Sequence, residues 1–475
     1  MTLEVERKFA LAAGQELPAL AGLGQAVELP MLAVYHDTRH FALTRARQVV
    51  RHRTGGVDDG WHVKLPGGDA DQRVEHHAPA DLPRLPAGLR GLVADTLAGQ
   101  ALVPVARVRT RRRQAEWRDA TGRLLALVCT DDVEATTALG SASWREAEVE
   151  LVEAGRDLLD DVTATFAAAG IHPSAAQSKI QRTLASAIEA DDAARAAGPD
   201  APGVVLDYLS RQVGTLQALE AGVLADEPDA VHRSRVATRR LRTALRTFRP
   251  LFAKREVVRL RAELAWHAGE LGAARDAEVL RDGLLQALDA LGVAGDAAER
   301  DLITVSLHDA HGRAHDELVK TMATRRYDQL HTRLATWLAE PPLAQADPGP
   351  ATAILHGLLD RSRGRAAALY SAALRHPEEV AGWHAVRKAA KAVRYCSEAL
   401  EPVFGARASS HAAAWEVVTD AFGELQDSVV ARATIASLSG DSAALDALLA
   451  YQVGRGRAEL ARGRAALDAA LAASL

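Results

Sequence analysis

The chain has 475 residues, 48% of them hydrophobic and 25% charged, and a formal net charge of −5. That length leaves room for roughly two to four domains of ordinary globular composition. The negative balance excludes a protein that coats nucleic acid through its overall field, and two distant cysteines, Cys129 and Cys396, exclude a disulfide framework or a CxxC metal site. The first residues are acidic where a secretory signal would be basic and then apolar. No apolar stretch is long enough to span a bilayer, so no membrane partner is expected and the expected location is cytoplasmic.

The chain opens MTLEVERKFAL. Side chains alternate across a strand, so Glu4, Glu6 and Lys8 share one face, and Leu3, Val5, Arg7 and Phe9 the other. The same alternation pairs Arg51 with Arg53 in VVRHRT, His62 with Lys64 in GWHVKLP, and Arg73 with Glu75 in QRVEHH. It aligns Arg107, Arg109, Arg111 and Arg113 in VARVRTRRR, and Glu146, Glu148 and Glu150 in WREAEVELV. Arg112 breaks the parity of its run, and a bulge there would exchange the faces. A solvated face would mix Thr, Ser and Gln with its charges. These faces hold Arg, Lys and Glu almost undiluted, and the opposite faces are apolar enough to pack under helices. A closed sheet with its charged faces turned inward satisfies all of these strands.

A charged interior is costly unless compensated. Carboxylates and guanidinium groups partly neutralise each other; the remaining cations need an anion and the clustered glutamates need a cation. Arginine suits bidentate phosphate binding, and glutamate oxygens suit Mg²⁺ or Mn²⁺. A polyphosphate carrying its metal meets both requirements.

The ordered series resembles the CYTH family, the triphosphate tunnel metalloenzymes. The resemblance rests on ExExK at Glu4–Lys8, the Tyr35-His36-Asp37-Thr38 run, the Arg51/Arg53 pair, Lys64 in VKLP, and Arg73 with Glu75. It continues through Asp131-Asp132, the closing EAEVEL and Ser178-Lys179. It implies an N-terminal eight-stranded antiparallel β tunnel with surrounding helices over residues 1–190, binding triphosphate compounds and a divalent metal. By that resemblance Glu4, Glu6, Glu148, Glu150 and Asp131 would hold Mg²⁺ or Mn²⁺. Glu4, Glu6, Lys8, Glu148 and Glu150 would form the catalytic set. Lys8, Arg51, Arg53, Lys64, Arg73, Arg109, Arg111 and Lys179 would grip phosphate oxygens.

Two Pro/Gly/Ala/Asp-rich segments, Glu189–Gly203 and Glu340–Ala351, read as linkers. Beyond the first, the chain is rich in Ala, Leu and Arg at helical spacing. HRSRVATRRLR at 232–242 is echoed by HAVRKAAKAVR at 384–394, an offset of 152, and LGAARD at 271–276 by FGELQD at 422–427, an offset of 151. An internal duplication is the simplest reading, with copies at 204–338 and 352–475. His232, Arg235, Arg239, Arg242 and Arg246 fall on one helical stripe, as do His384, Arg387, Lys391 and Arg394. Like charges so spaced destabilise a helix by a few tenths of a kcal/mol per pair. A stripe retained twice at that cost suggests an anionic ligand that removes the repulsion, in preference to a solvated face or salt bridges to Asp276 and Asp427.

These motifs resemble the CHAD family, the conserved-histidine α-helical domains, over 204–475. The resemblance implies two four-helix bundles, an all-α duplicated architecture, and binding of inorganic polyphosphate, with Arg240 and Lys388 added to the stripes by the matching motifs. The second copy has Lys391 where the first has Arg239, and Gln426 where the first has Arg275, so weaker binding is expected there. His308, His311 and His315 stand at i, i+3 and i+7 without a companion ligand, and an exposed polar face is expected there in place of a zinc site.

The expected function is metal-dependent hydrolysis of inorganic tripolyphosphate in the tunnel, with longer polyphosphate held by the helical half, where association with polyphosphate granules is conceivable. The alternatives are an adenylate cyclase or thiamine triphosphatase of the same tunnel class, or a non-catalytic polyphosphate-binding protein. RNA binding is disfavoured by the missing set of stacking aromatics.

Overall fold

Alternation of charged and apolar residues produces eight long strands. They are β1 (Thr2–Leu11), β2 (Val27–Asp37), β3 (Val49–Thr54), β4 (Gly60–Pro66), β5 (Gln72–Ala78), β6 (Val103–Arg118), β7 (Leu124–Thr137) and β8 (Gly140–Leu151). In this computed structural model, which describes residues 1–69, 71–290, 297–345, 349–437 and 443–473, the strands pair antiparallel in the order β5-β4-β3-β2-β6-β7-β8-β1. Pairing of β1 back onto β5 closes the barrel. Closure leaves no unpaired edge among these eight strands. The two-residue β9 (His172–Pro173) lies beside β1.

The outward faces pack as the alternation requires. Helix α1 (Asp157–Ala168) buries Leu159, Val162 and Phe166 against Phe9, Leu11, Val128 and Val149. The Phe9 and Phe166 rings meet edge-to-face with centroids 4.8 Å apart. A second outer cluster joins Val50, Trp61 and Val63 to Leu43, Val93, Leu97 and Leu102.

The inner face is less uniform than the sequence suggested. Part of it is apolar: Ala33, Tyr35, Val49, Ala106, Val108, Val133 and Ala135 cluster with Ile180 and Leu184 of helix α2 (Lys179–Ala197). Ser178 caps α2 by accepting from the Gln181 amide at 3.2 Å. The barrel is therefore a charged cavity with an apolar shoulder, and α2 covers the shoulder.

The chain forms two compact units, Met1–Gly198 with Ala335–Glu340, and Pro199–Leu334 with Pro341–Leu475. The second is helical. Its first copy comprises α3 (Ala201–Leu224), α4 (Ala230–Thr247), α5 (Lys254–Ala290), α6 (Ala297–Met322) and the part of α7 (Arg325–Ala339) up to Leu334. Its second comprises α8 (Ala351–Arg375), α9 (Val380–Ala399), α10 (Ala406–Ser437) and α11 (Ala443–Ala472). The division between the units, at Gly198 and Pro199, falls inside the first expected linker, whose irregular part is short. Helix runs to Ala197 and resumes at Ala201, because the segment's alanines favour helix and Asp200 caps α3 by accepting from the Gly203 amide at 2.7 Å. Residues 346–348 of the second expected linker lie outside the described residues. Among the described residues no helix is long and apolar enough to cross a membrane.

Phe166 is fully buried, so Phe166→Ala is expected to destabilise the barrel by about 3–5 kcal/mol through lost transfer energy and the cavity left behind. Denaturant unfolding of the purified variant measures it.

Candidate active site

Direct cross-strand partners project to the same face of a sheet, so the register places the charges. Glu6 faces Glu150 and Lys8 faces Glu148 across β1 and β8. Asp131 faces Arg112 on one side and Glu146 on the other. Glu4 lies opposite Arg73, Lys64 opposite Glu75, and Arg51 between His62 and Tyr35. Together these strands enclose a cavity of about 230 Å³, lined by Glu4, Glu6, Lys8, Arg51, Arg53, Lys64, Arg73, Glu75, Arg112, Glu148, Glu150 and Lys179.

The run in β6 departs from expectation. Arg109 and Arg111 do not face the cavity. Arg109 is exposed and pairs with Glu134 at 3.3 Å on the outer side, while Thr110, Arg112 and Gln114 line the interior. The register with β2 is unbroken from Val27 to Tyr35, and the bulge lies farther on, between Tyr35 and His36. The even-numbered residues of β6 therefore face inward. Four same-parity arginines marked a solvated face, and the parity-breaking Arg112 is the interior one.

Two electrostatic groups share the cavity. In the first, the Lys179 ammonium lies 2.7 Å from Asp131, 2.8 Å from Glu146 and 2.6 Å from Glu148. Arg112 grips Asp131 through two bonds, 2.9 and 2.7 Å long, and also reaches Glu148. Lys8 bridges Glu148 and Glu6, the latter at 3.1 Å. Burial alone would raise the Glu148 pKa, but Arg112, Lys179 and Lys8 hold it well below the usual range. Against the same opposing burial, Lys8 lowers Glu6, and Lys179 with Arg112 lowers Asp131.

The second group is under-compensated. Burial, then a hydrogen bond with Glu75, pushes Glu4 up to about 8 even though Lys64 is its ion-pair partner. Burial and the neighbouring Glu6 raise Glu150. Opposite lie buried guanidinium donors without acceptors, Arg51 Nε and Arg53 Nε. Burial and the nearby Arg51 lower the Arg53 pKa to about 10. Glu75 gathers Lys64 at 3.5 Å, Arg51 at 3.8 Å and His62 Nδ1 at 2.8 Å. Gly60, at φ +138, starts β4 where a Cβ would strike the Ala78 carbonyl at 2.1 Å. The tight loop it permits brings Asp58 to Arg53, and the Asp58 carbonyl to His62 Nε2 at 3.0 Å.

Sequence reasoning did not single out Arg112, Glu146, Glu75 or His62 as site residues. For the last three the signal was present, since each shares a parity with a chosen neighbour. Two acidic sets suit a cation. Asp131, Glu146 and Glu148 converge within 4.8 Å but already surround the Lys179 ammonium. Glu4 and Glu150 hold carboxylates that lack full compensation, Glu6 beside them is paired with Lys8, and hard oxygen donors of this kind match Mg²⁺ or Mn²⁺.

In the helical unit the two stripes meet. Arg239 Nε donates to the Tyr395 hydroxyl at 2.9 Å. Lys391 is pushed down to about 6 by burial, then by Arg239 and Arg387. Arg387 Nε is buried without an acceptor. Arg235 pairs with Asp276, and His384 Nδ1 lies 3.0 Å from Gln426. The glycines of the repeated motif lie under the stripe arginines: a Cβ on Gly423 would come within 3.2 Å of Arg387 Nη2, and one on Gly272 within 3.9 Å of Arg235. His232 is lowered by burial and by Arg275. Lys388 is exposed. Arg240 and Arg394 are each 3.0 Å from Glu398, so carboxylates hold them. His311 and His315 are structural: His311 Nε2 is 3.0 Å from Asp226 and His315 Nε2 is 2.8 Å from the Val223 carbonyl.

A family model described as CYTH domain matches residues 2–184, and one described as CHAD domain matches 207–436. The "Uncharacterized protein Rv2226" of Mycobacterium tuberculosis is 34% identical over 512 residues, covering 99% of this chain and 96% of that protein. Among solved structures, PptA from Streptomyces chartreusis is similar over 57% of this chain and 100% of its own, at 25% identity and a TM-score of 0.48. The CHAD domain from the plant Ricinus communis is similar over 57% of this chain and 92% of its own, at 23% identity and a TM-score of 0.47.

Lys179→Met would leave three buried carboxylates short of a cation and is expected to destabilise the barrel by about 3–5 kcal/mol, read by denaturant unfolding at neutral pH. Glu6, Glu148 and Asp131 have lowered folded values. The stability that the two glutamates add is full above their unfolded value of 4.5 and is lost as pH falls through their folded values. A melting-temperature series is therefore expected to fall steeply below about pH 4.5, whereas between pH 8 and 4.5 protonation of Glu4, whose folded value is raised to about 8, works in the opposite direction.

Proposed function

This chain belongs to the family of proteins in which a CYTH domain precedes a CHAD domain, and on that premise we propose that its barrel hydrolyses inorganic tripolyphosphate with a bound divalent metal while its helical unit holds longer polyphosphate. The observation that carries this reading is the pairing, in one cavity, of buried guanidinium donors without acceptors with buried carboxylates that lack full compensation. A linear triphosphate supplies acceptors to Arg51 and Arg53, and a divalent cation suits Glu4, Glu6 and Glu150. Tyr35 is the single aromatic residue among the described cavity-lining residues, which favours an inorganic chain over a substrate with an organic ring.

The residues divide the work. Glu4, Glu6 and Glu150 would hold Mg²⁺ or Mn²⁺, which when bound supplies charge neutralisation and a lowered pKa for water. Arg51 and Arg53, with Lys64 and Arg73 beside them, orient the phosphates and stabilise charge on the equatorial and leaving oxygens as the water oxygen bonds to phosphorus and the bridging P–O bond breaks. Lys8, Arg112 and Lys179, committed to Glu148, Asp131 and Glu146, fix the wall against which this happens. Glu148 and Asp131 thus act through the cations they hold, a role different from the metal ligation expected of them. In the helical unit, Arg235, Arg239, Arg387 and Lys391 form the central anion groove, and tethering the two units in one chain raises the local substrate concentration.

The deciding experiment incubates the protein with tripolyphosphate, ATP or thiamine triphosphate in Mg²⁺ or Mn²⁺ and identifies the products. Phosphate and pyrophosphate from tripolyphosphate are expected; cyclic AMP from ATP, or no turnover of any substrate, would sink the reading. Glu6→Gln is expected to remove metal-dependent turnover, and Arg53→Met to lower kcat/KM by about 10²-fold, each measured by phosphate release. Because an anion restores the charge on Lys391, polyphosphate binding is expected to take up a proton and to weaken as pH rises from 6 to 8, with Lys391→Arg abolishing that dependence; calorimetry in two buffers of different ionisation enthalpy measures it.

A further inference from the structure

The two copies of the helical repeat differ most at one end of their stripes. In copy one the stripe continues past Arg242 to Arg246 and Arg249, and Arg261 of α5 and Arg365 of α8 lie close enough to repel it. Burial, then the charges of Arg261, Arg365 and Arg242, lowers the Arg246 pKa; burial, then Arg242 and Arg249, lowers that of Arg261. Among the described residues none of these five arginines has a carboxylate within ion-pair distance. The buried Nε of Arg261 has no acceptor.

Copy two is built the opposite way. At the offset of 152, Arg246 is replaced by Glu398 and Arg249 by Glu401; at the offset of 151, Arg261 is replaced by Ala412. Arg394, the counterpart of Arg242, is held by Glu398 at 3.0 Å, by Glu416, and by Asp420 at 3.9 Å. Glu398 also takes Arg240 at 3.0 Å. The copy-one stripe thus ends in a cationic cluster without carboxylate partners, and the copy-two stripe ends in an arginine held by carboxylates.

We infer that the anion groove of the helical unit is one-ended: an extended inorganic polyanion crosses the central residues Arg235, Arg239, Arg387 and Lys391 and continues only over Arg242, Arg246, Arg249, Arg261 and Arg365. This rests on the reading that the unit binds polyphosphate, and it adds polarity and chain-length selection. A short anion occupies the centre. A long chain gains the end cluster as well, relieving repulsion that five neighbouring guanidinium groups otherwise suffer. The copy-two end offers no such gain, because a polyanion there would meet Glu398, Glu401, Glu416 and Asp420. The end cluster consists of guanidinium groups, which pair bidentately with phosphate oxygens and so suit a bare phosphate chain; the bases of a single-stranded RNA would need stacking partners as well.

The test uses the full chain with EDTA present, so that metal-dependent hydrolysis does not consume the ligand. Tripolyphosphate, long-chain polyphosphate and single-stranded RNA are each titrated at several salt concentrations. Three proteins are compared: wild type, the end variant Arg246→Gln/Arg249→Gln/Arg365→Gln, and the centre variant Arg235→Gln/Arg239→Gln, with melting temperatures confirming that each is folded. The end variant is expected to bind long polyphosphate about tenfold or more weakly and to lower the slope of log K against log salt by about two to three, with tripolyphosphate affinity changed less than about twofold. Unchanged long-chain affinity and slope in the end variant, or equal losses for short and long chains, would overturn the one-ended groove. Unchanged polyphosphate binding by the centre variant would instead overturn the underlying polyphosphate reading. RNA binding as tight as that of polyphosphate, through the same arginines, would overturn the choice of ligand.

Discussion

The placement of the Lys179 ammonium among Asp131, Glu146 and Glu148 is the contact on which the barrel interior depends. Three buried carboxylates within reach of one another repel strongly at the low dielectric of a protein interior. A single ammonium at 2.6–2.8 Å, helped by Arg112 and Lys8, turns that repulsion into a fixed lattice. The lysine arrives because Ser178 caps a helix whose next apolar residues, Ile180 and Leu184, fill the apolar shoulder of the same cavity. One helix therefore covers the apolar shoulder and neutralises the charged wall, and packing and electrostatics hold each other in place.

This compensation is selective. Charges on the Lys179 side are paired within the protein, and its cations hold Asp131 and Glu148 below the usual carboxylate range. Across the cavity the accounts remain open: Glu4 and Glu150 are pushed toward protonation while Arg51 and Arg53 keep donors without acceptors. A rigid, internally satisfied wall facing an unsatisfied one is the arrangement expected of a preorganised site for an anion bound with its cation. The helical unit applies the same physics with one sign only. Its stripes carry cations in excess, and at Arg394 carboxylates neutralise them.

Much of this was legible in the residues. Period-two alternation of undiluted charge against apolar side chains identified the barrel strands and the inward direction of Glu4, Glu6, Lys8, Arg51, Lys64 and Glu148. The two copied stripes identified the duplicated helical half. The arginine run of β6 was misread because parity along one strand says which residues share a face, never which face is inside. Glu75 and Glu146 carried the right parity, but their partners lay on strands distant in sequence. Composition placed the first linker where the units divide, but its alanines and an Asp cap shorten its irregular part to residues 198–200.

The sequence by itself determined the alternation, the helical stripes and their duplication, because those depend on backbone periodicity, a property of neighbouring residues. Only the tertiary structure decided which face of β6 lines the cavity, which carboxylates are already neutralised, and which arginines are left without partners. Those outcomes depend on register and on distances between groups up to more than a hundred residues apart, such as Lys8 and Glu148. Electrostatic energy in a buried site is set by such distances, which local sequence does not encode.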